Sequence, residues 1–100
     1  MRESSTLEEK FEDFLSSFDI VPVSLKRLDC KGYIVPELFL VLVREDLKLD
    51  ELYETVVHEF IHYEFPMFME DEVEALTQRI KGRLWSILEA ELGVPEWIKE

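Results

Sequence analysis

Thr55-Val56-Val57-His58-Glu59-Phe60-Ile61-His62-Tyr63 contains both histidines of this 100-residue chain. At its centre is the pattern HExxH. On a helix, His58 and His62 are four residues apart and lie on one face, one turn above the other. That spacing lets two neutral imidazoles chelate a single Zn²⁺ at about 2.0–2.1 Å each. Glu59 is rotated away by about 100°, out of the chelate but well placed to meet a water beside the metal.

The helix carrying this run begins at Leu49 or Asp50 and ends near Phe65, because Pro66 disfavours a helical residue immediately before it. A further helix is expected over residues 69–92, with Val73, Leu76, Ile80, Leu84, Ile87 and Leu88 recurring at helical spacing and Gly93-Val94-Pro95 as its stop. On the N-terminal side, Thr6 and Glu9 have capping-box spacing. They open a helix over residues 6–18 whose apolar stripe is Leu7, Phe11, Phe14, Leu15 and Phe18. Between the first and second helices lie β-like stretches. Residues 21–28 carry Pro22 and Lys26, the marks of an edge strand. A turn over residues 29–32 leads to residues 33–35, and residues 38–43, apolar on both faces, read as a central strand. The expected class is α+β: an N-terminal helix, a small and mostly antiparallel sheet of about three strands, and two C-terminal helices, in one domain spanning residues 1–100.

Composition bounds the function. The chain is 47% hydrophobic and 34% charged, a globular balance, and its net charge is −12 with no cluster of lysine and arginine. Nucleic acid and anionic membranes are therefore not expected partners. The acidity is read as a source of solubility before it is read as a preference for basic peptides. The start of the chain lacks the apolar segment of a secretory signal, and the apolar run at residues 38–43 is too short to span a bilayer. The single cysteine, Cys30, rules out an intrachain disulfide and is read as a thiol near a turn. A cytoplasmic location is expected. The absence of asparagine, with one glutamine and abundant glutamate, is the pattern of a thermophilic source.

Zinc needs a third protein donor, and no histidine is left to give one. The candidates lie in Glu70-Asp71-Glu72-Val73-Glu74, at the start of the last helix. If Val73, Leu76 and Ile80 define the buried face, Glu72 is about 40° from Leu76 in projection and Glu74 about 160°. Glu72 is the expected ligand, with Glu70 in reserve.

Residues 55–63 resemble the extended zincin consensus, although Glu64 stands where an apolar residue is usual. A glutamate from a following helix would make this a gluzincin, and in length and layout the chain is most similar to the minigluzincins. The resemblance implies a zinc metallopeptidase with His58, His62 and Glu72 as ligands and Glu59 as general base, acting on a peptide or protein substrate. The acidic residue that the family places four after its glutamate is missing on this assignment, since that position is Leu76. The donor that steadies the tetrahedral intermediate is open among Tyr33, Tyr53, Tyr63, Arg79 and Arg83. A substrate strand could pair with a sheet edge, either residues 21–28 or a strand from 33–43. The family's latent forms imply a C-terminal segment, here residues 95–100, lying in the cleft; a tail folded over the core to cover Trp97 is the equal alternative, and self-association through the tail is also open. The alternative is a zinc-containing binding or regulatory protein without turnover.

Overall fold

The computed structural model describes residues 6–24 and 30–98. Helix α1 (Leu7–Ser17) is followed by strands β1 (Asp19–Val23) and β2 (Gly32–Val35), a 3-10 turn at Pro36–Leu38, strand β3 (Leu40–Arg44), and helices α2 (Leu49–Glu64) and α3 (Glu70–Glu91). The class is α+β, as the sequence predicts. No helix among the described residues is long and apolar enough to cross a membrane.

All three helices open with an N3 glutamate that accepts from the backbone amide preceding the helix. In α1, Thr6 Oγ1 accepts from the Glu9 amide at 3.1 Å, while the Thr6 amide donates to the Glu9 carboxylate at 2.9 Å. In α2 and α3 the residue before the helix has no side chain able to accept, so only the returning half is formed. The Lys48 amide donates to Glu51 at 3.1 Å and the Met69 amide to Glu72 at 2.8 Å. Each N3 glutamate thereby satisfies a backbone donor that the helix itself leaves unpaired.

The sheet order is β1-β3-β2, so the strand that is apolar on both faces takes the centre. The sheet is mixed. β2 runs antiparallel to β3 because the short turn between them returns the chain directly, whereas β1 runs parallel to β3. Only one of the two pairings therefore follows the antiparallel expectation. The first strand starts earlier than the sequence suggests, at Asp19. Of the expected stretch 21–28 and turn 29–32, residues 25–29 lie outside the described residues.

Val41 and Val43 of β3 are fully buried and share one core with Phe11 and Phe14 of α1, Val56, Val57, Phe60 and Ile61 of α2, and Val73, Ile80, Leu84 and Leu88 of α3. Phe60 binds the layers together, its ring edge-on to both Phe11 and Phe14 at 4.9 and 5.2 Å between centroids. The C-terminal stretch also enters this core. Ile98 is buried in it, Trp97 packs against it, and the Tyr53 hydroxyl donates to the Gly93 carbonyl at 2.7 Å, just past the end of α3. An apolar residue in a short tail gains most by covering the core, and these two do so.

Candidate metal centre

Helix α2 presents His58 and His62 on one face, with ring centroids 4.8 Å apart. Facing them is Glu70, the first residue of α3. One carboxylate oxygen lies 3.0 Å from His58 Nε2 and the other 2.9 Å from His62 Nε2. The donor atoms of these three residues all fall within 4.8 Å of one another. Two imidazole nitrogens and one carboxylate oxygen, converging with a side left open, are a donor set suited to zinc.

The carboxylate expected at Glu72 is thus found at Glu70. Glu72 instead turns back to cap its own helix through the Met69 amide. The reason lies in the buried face of α3. Thr77 is fully buried, its hydroxyl donating to the Val73 carbonyl at 2.8 Å, whereas Leu76 is only half-buried. With Thr77 as the reference, Glu70 is about 20° away in projection and Glu72 about 140°. A threonine that satisfies its hydroxyl within its own helix can take a core position that sequence reading reserves for leucine.

Glu70 is not the only carboxylate of α3 beside the histidines. Four residues on is Glu74, whose Oε2 lies 3.3 Å from His58 Nδ1. A carboxylate on Nδ1 fixes the ring's orientation and leaves Nε2 facing Glu70, the arrangement common behind metal-binding histidines.

Glu59 lies on the same helix between the two histidines, 7% exposed, and makes no hydrogen bond among the described residues. Burial raises its proton affinity above that of an ordinary carboxyl group. His58 and His62 oppose that shift, and Glu70 adds to it. The side chain lines a cleft of about 670 Å³ together with His58, His62, Glu70 and Glu74. The opposite wall is β2 and the residues leading into it, Cys30 to Ile34.

Gly32 makes that close wall possible. A Cβ at this position would lie 2.4 Å from Thr55 Cγ2 and 3.6 Å from Glu59 Cγ, so only glycine lets the strand pass this near to α2. On its other side β2 pairs with no strand among the described residues, so it is an edge strand bordering the cleft.

Of the five possible oxyanion donors, Tyr33 alone lines the cleft. Tyr53 is committed to Gly93, Tyr63 packs on Phe14 and Phe18, Arg83 pairs with Glu8 at 3.1 Å, and Arg79 is exposed on α3. Cys30 is an exposed free thiol at the cleft wall, its Sγ 3.1 Å from the Gly32 carbonyl. Residues 94–98 do not line the cleft, so the described part of the tail does not lie there as the resemblance implied. Sequence reasoning missed Glu54, which also lines the cleft. It stands one turn before His58 on the same face of α2 and accepts from Lys81 Nζ at 2.9 Å, which holds its carboxyl below the usual range.

No protein-family model, curated sequence or solved structure matches this chain.

Proposed function

We propose that this chain is a zinc-dependent metallopeptidase of gluzincin type, with His58, His62 and Glu70 as the zinc ligands and Glu59 as general base. The observation that carries the reading is the convergence of Glu70 on both Nε2 atoms of an HExxH helix whose glutamate is buried beside them. Glu74 adds to it. With Glu70 as the glutamate, the acidic residue expected four positions later is present, and its carboxylate stands on His58 Nδ1.

Zinc in this site would supply Lewis-acid polarisation of a scissile carbonyl and make an adjacent water more acidic. The chain's own residues account for the rest. Glu59, shielded from solvent and without a hydrogen bond among the described residues, is equipped to take a proton from that water on its carboxylate and pass it to the departing amine. Glu74 holds the His58 ring. The free edge of β2 offers backbone amides and carbonyls to an extended peptide beside the metal donors.

The test is hydrolysis of a quenched-fluorescent peptide library by the zinc-loaded chain and by Glu59→Gln. Loss of about 10²–10⁴-fold in rate, with zinc retained, is the expected result. Equal rates in the two proteins would refute the assignment of Glu59. A zinc-loaded chain that cleaves nothing would favour a binding or regulatory role.

A further inference from the structure

Glu74 can orient His58 only if its own carboxylate is held, and an exposed glutamate near a helix start has several rotamers available. The hydrogen bonds around it form a short relay between the two helices. Glu74 Oε2 faces His58 Nδ1, while Oε1 accepts from Gln78 Nε2 at 3.2 Å. The same amide donates to Glu54 Oε2 on α2, and Lys81 Nζ neutralises that carboxylate at 2.9 Å. Gln78, the only glutamine in the chain, therefore spans one carboxylate from each helix with a single NH₂ group.

We propose that Gln78 is a positioning residue for the metal site, acting through Glu74. The role rests on the metal-site reading given above. A neutral amide suits it. It fixes the Glu74 carboxylate by hydrogen bonding but brings no positive charge to compete with the His58 Nδ1–H for that carboxylate's charge. A lysine at this position would pair with Glu74 directly and draw it from the imidazole. A methionine would match the length of glutamine but donate nothing. Glu54, itself held by Lys81 of α3, completes the relay by anchoring the amide to α2, one turn before His58.

The experiment is a competition titration of the whole chain with Zn²⁺ alone against a chromophoric chelator, for the unsubstituted protein, Gln78→Met, Glu74→Ala and the double variant, with thermal denaturation run in parallel. Residues that orient a metal ligand typically set affinity by 10–100-fold, and a residue one step further out should give about 3–10-fold. Gln78→Met is expected to weaken zinc binding by that factor with the melting temperature unchanged, and to cause no further loss once Glu74 is alanine. Unchanged affinity in Gln78→Met, or an equal loss in the Glu74→Ala background, would overturn the role of Gln78 while leaving the metal site standing. Failure of the unsubstituted chain to take up zinc would overturn the metal-site reading itself, and this role with it.

Discussion

Replacing Gly32 by alanine adds one methyl group where the structure has no room for it. The new Cβ would sit 2.4 Å from Thr55 Cγ2 and 3.3 Å from the Leu42 carbonyl oxygen. Thr55 is buried on α2, and the Leu42 carbonyl belongs to the central strand, so neither side yields without moving β2 or α2. Overpacking of this kind costs about 1–3 kcal/mol. In an open strand the same change would stabilise, because alanine has less unfolded-chain entropy to lose, by about 0.4–1 kcal/mol. The sign of the effect therefore separates a close approach from an ordinary strand position. At about 4–8 °C per kcal/mol for a chain of this size, Gly32→Ala is expected to lower the melting temperature by about 4–24 °C. Thr55→Ser deletes the clashing Cγ2 and keeps the hydroxyl, so Gly32→Ala/Thr55→Ser should recover part of the loss relative to Thr55→Ser alone. Chemical and thermal denaturation of the four proteins forms the cycle. An alanine variant as stable as the parent, or a double variant with no recovery, would refute the argument that glycine is required for β2 to border the cleft.

Other perturbations probe the remaining contacts. Tyr53→Phe removes the hydroxyl that donates to Gly93, and urea denaturation should show a loss of about 0.5–1.5 kcal/mol. Glu72→Ala removes the carboxylate that caps α3 and should cost about 0.5–1 kcal/mol in the same assay. Glu59 has a raised pKa through burial, so the folded state holds its proton more tightly than the unfolded chain does. Its contribution to stability is therefore fully present below the ordinary carboxylate range and is lost as pH rises through the folded pKa. In metal-free protein, Glu59→Gln should accordingly be more stable than the parent at neutral pH, with the advantage shrinking as pH falls through the folded pKa towards 4.5, the group's ordinary value, and gone below it. An advantage that grew on acidification would contradict the burial argument.

Much of the fold is legible from local chemistry. Thr6 and Glu9 announce α1 because a capping box is local, and Pro66 closes α2 because its ring constrains the residue before it. The apolar run at residues 38–43 identifies the middle strand because only a central strand loses solvent on both faces. What depends on tertiary placement is less legible. The parallel pairing of β1 with β3 leaves no mark on either strand's own sequence. The face of α3 turned to α2 includes Thr77, whose polarity conceals a core position, and for that reason helix periodicity points to Glu72 where the structure turns Glu70 to the histidines. The HExxH spacing is different, since the two histidines and Glu59 are positioned by one helix and need no information from elsewhere in the chain. Trp97 and Ile98 have no such local frame. Two apolar residues after a helix stop are equally compatible with a cleft or a core, and their burial is settled by which surface is left uncovered.

On the proposed reading His58, His62 and Glu70 form one zinc site. Its most direct test is zinc stoichiometry and affinity, by elemental analysis and chelator competition, in the parent chain, Glu70→Ala and Glu72→Ala. The expected result is one zinc per chain, bound at least about tenfold more weakly by Glu70→Ala and unchanged in Glu72→Ala, since only the former loses a donor facing both imidazoles. Zinc that is weakened by Glu72→Ala and indifferent to Glu70→Ala, or no zinc in the parent at stoichiometric Zn²⁺, would contradict the account.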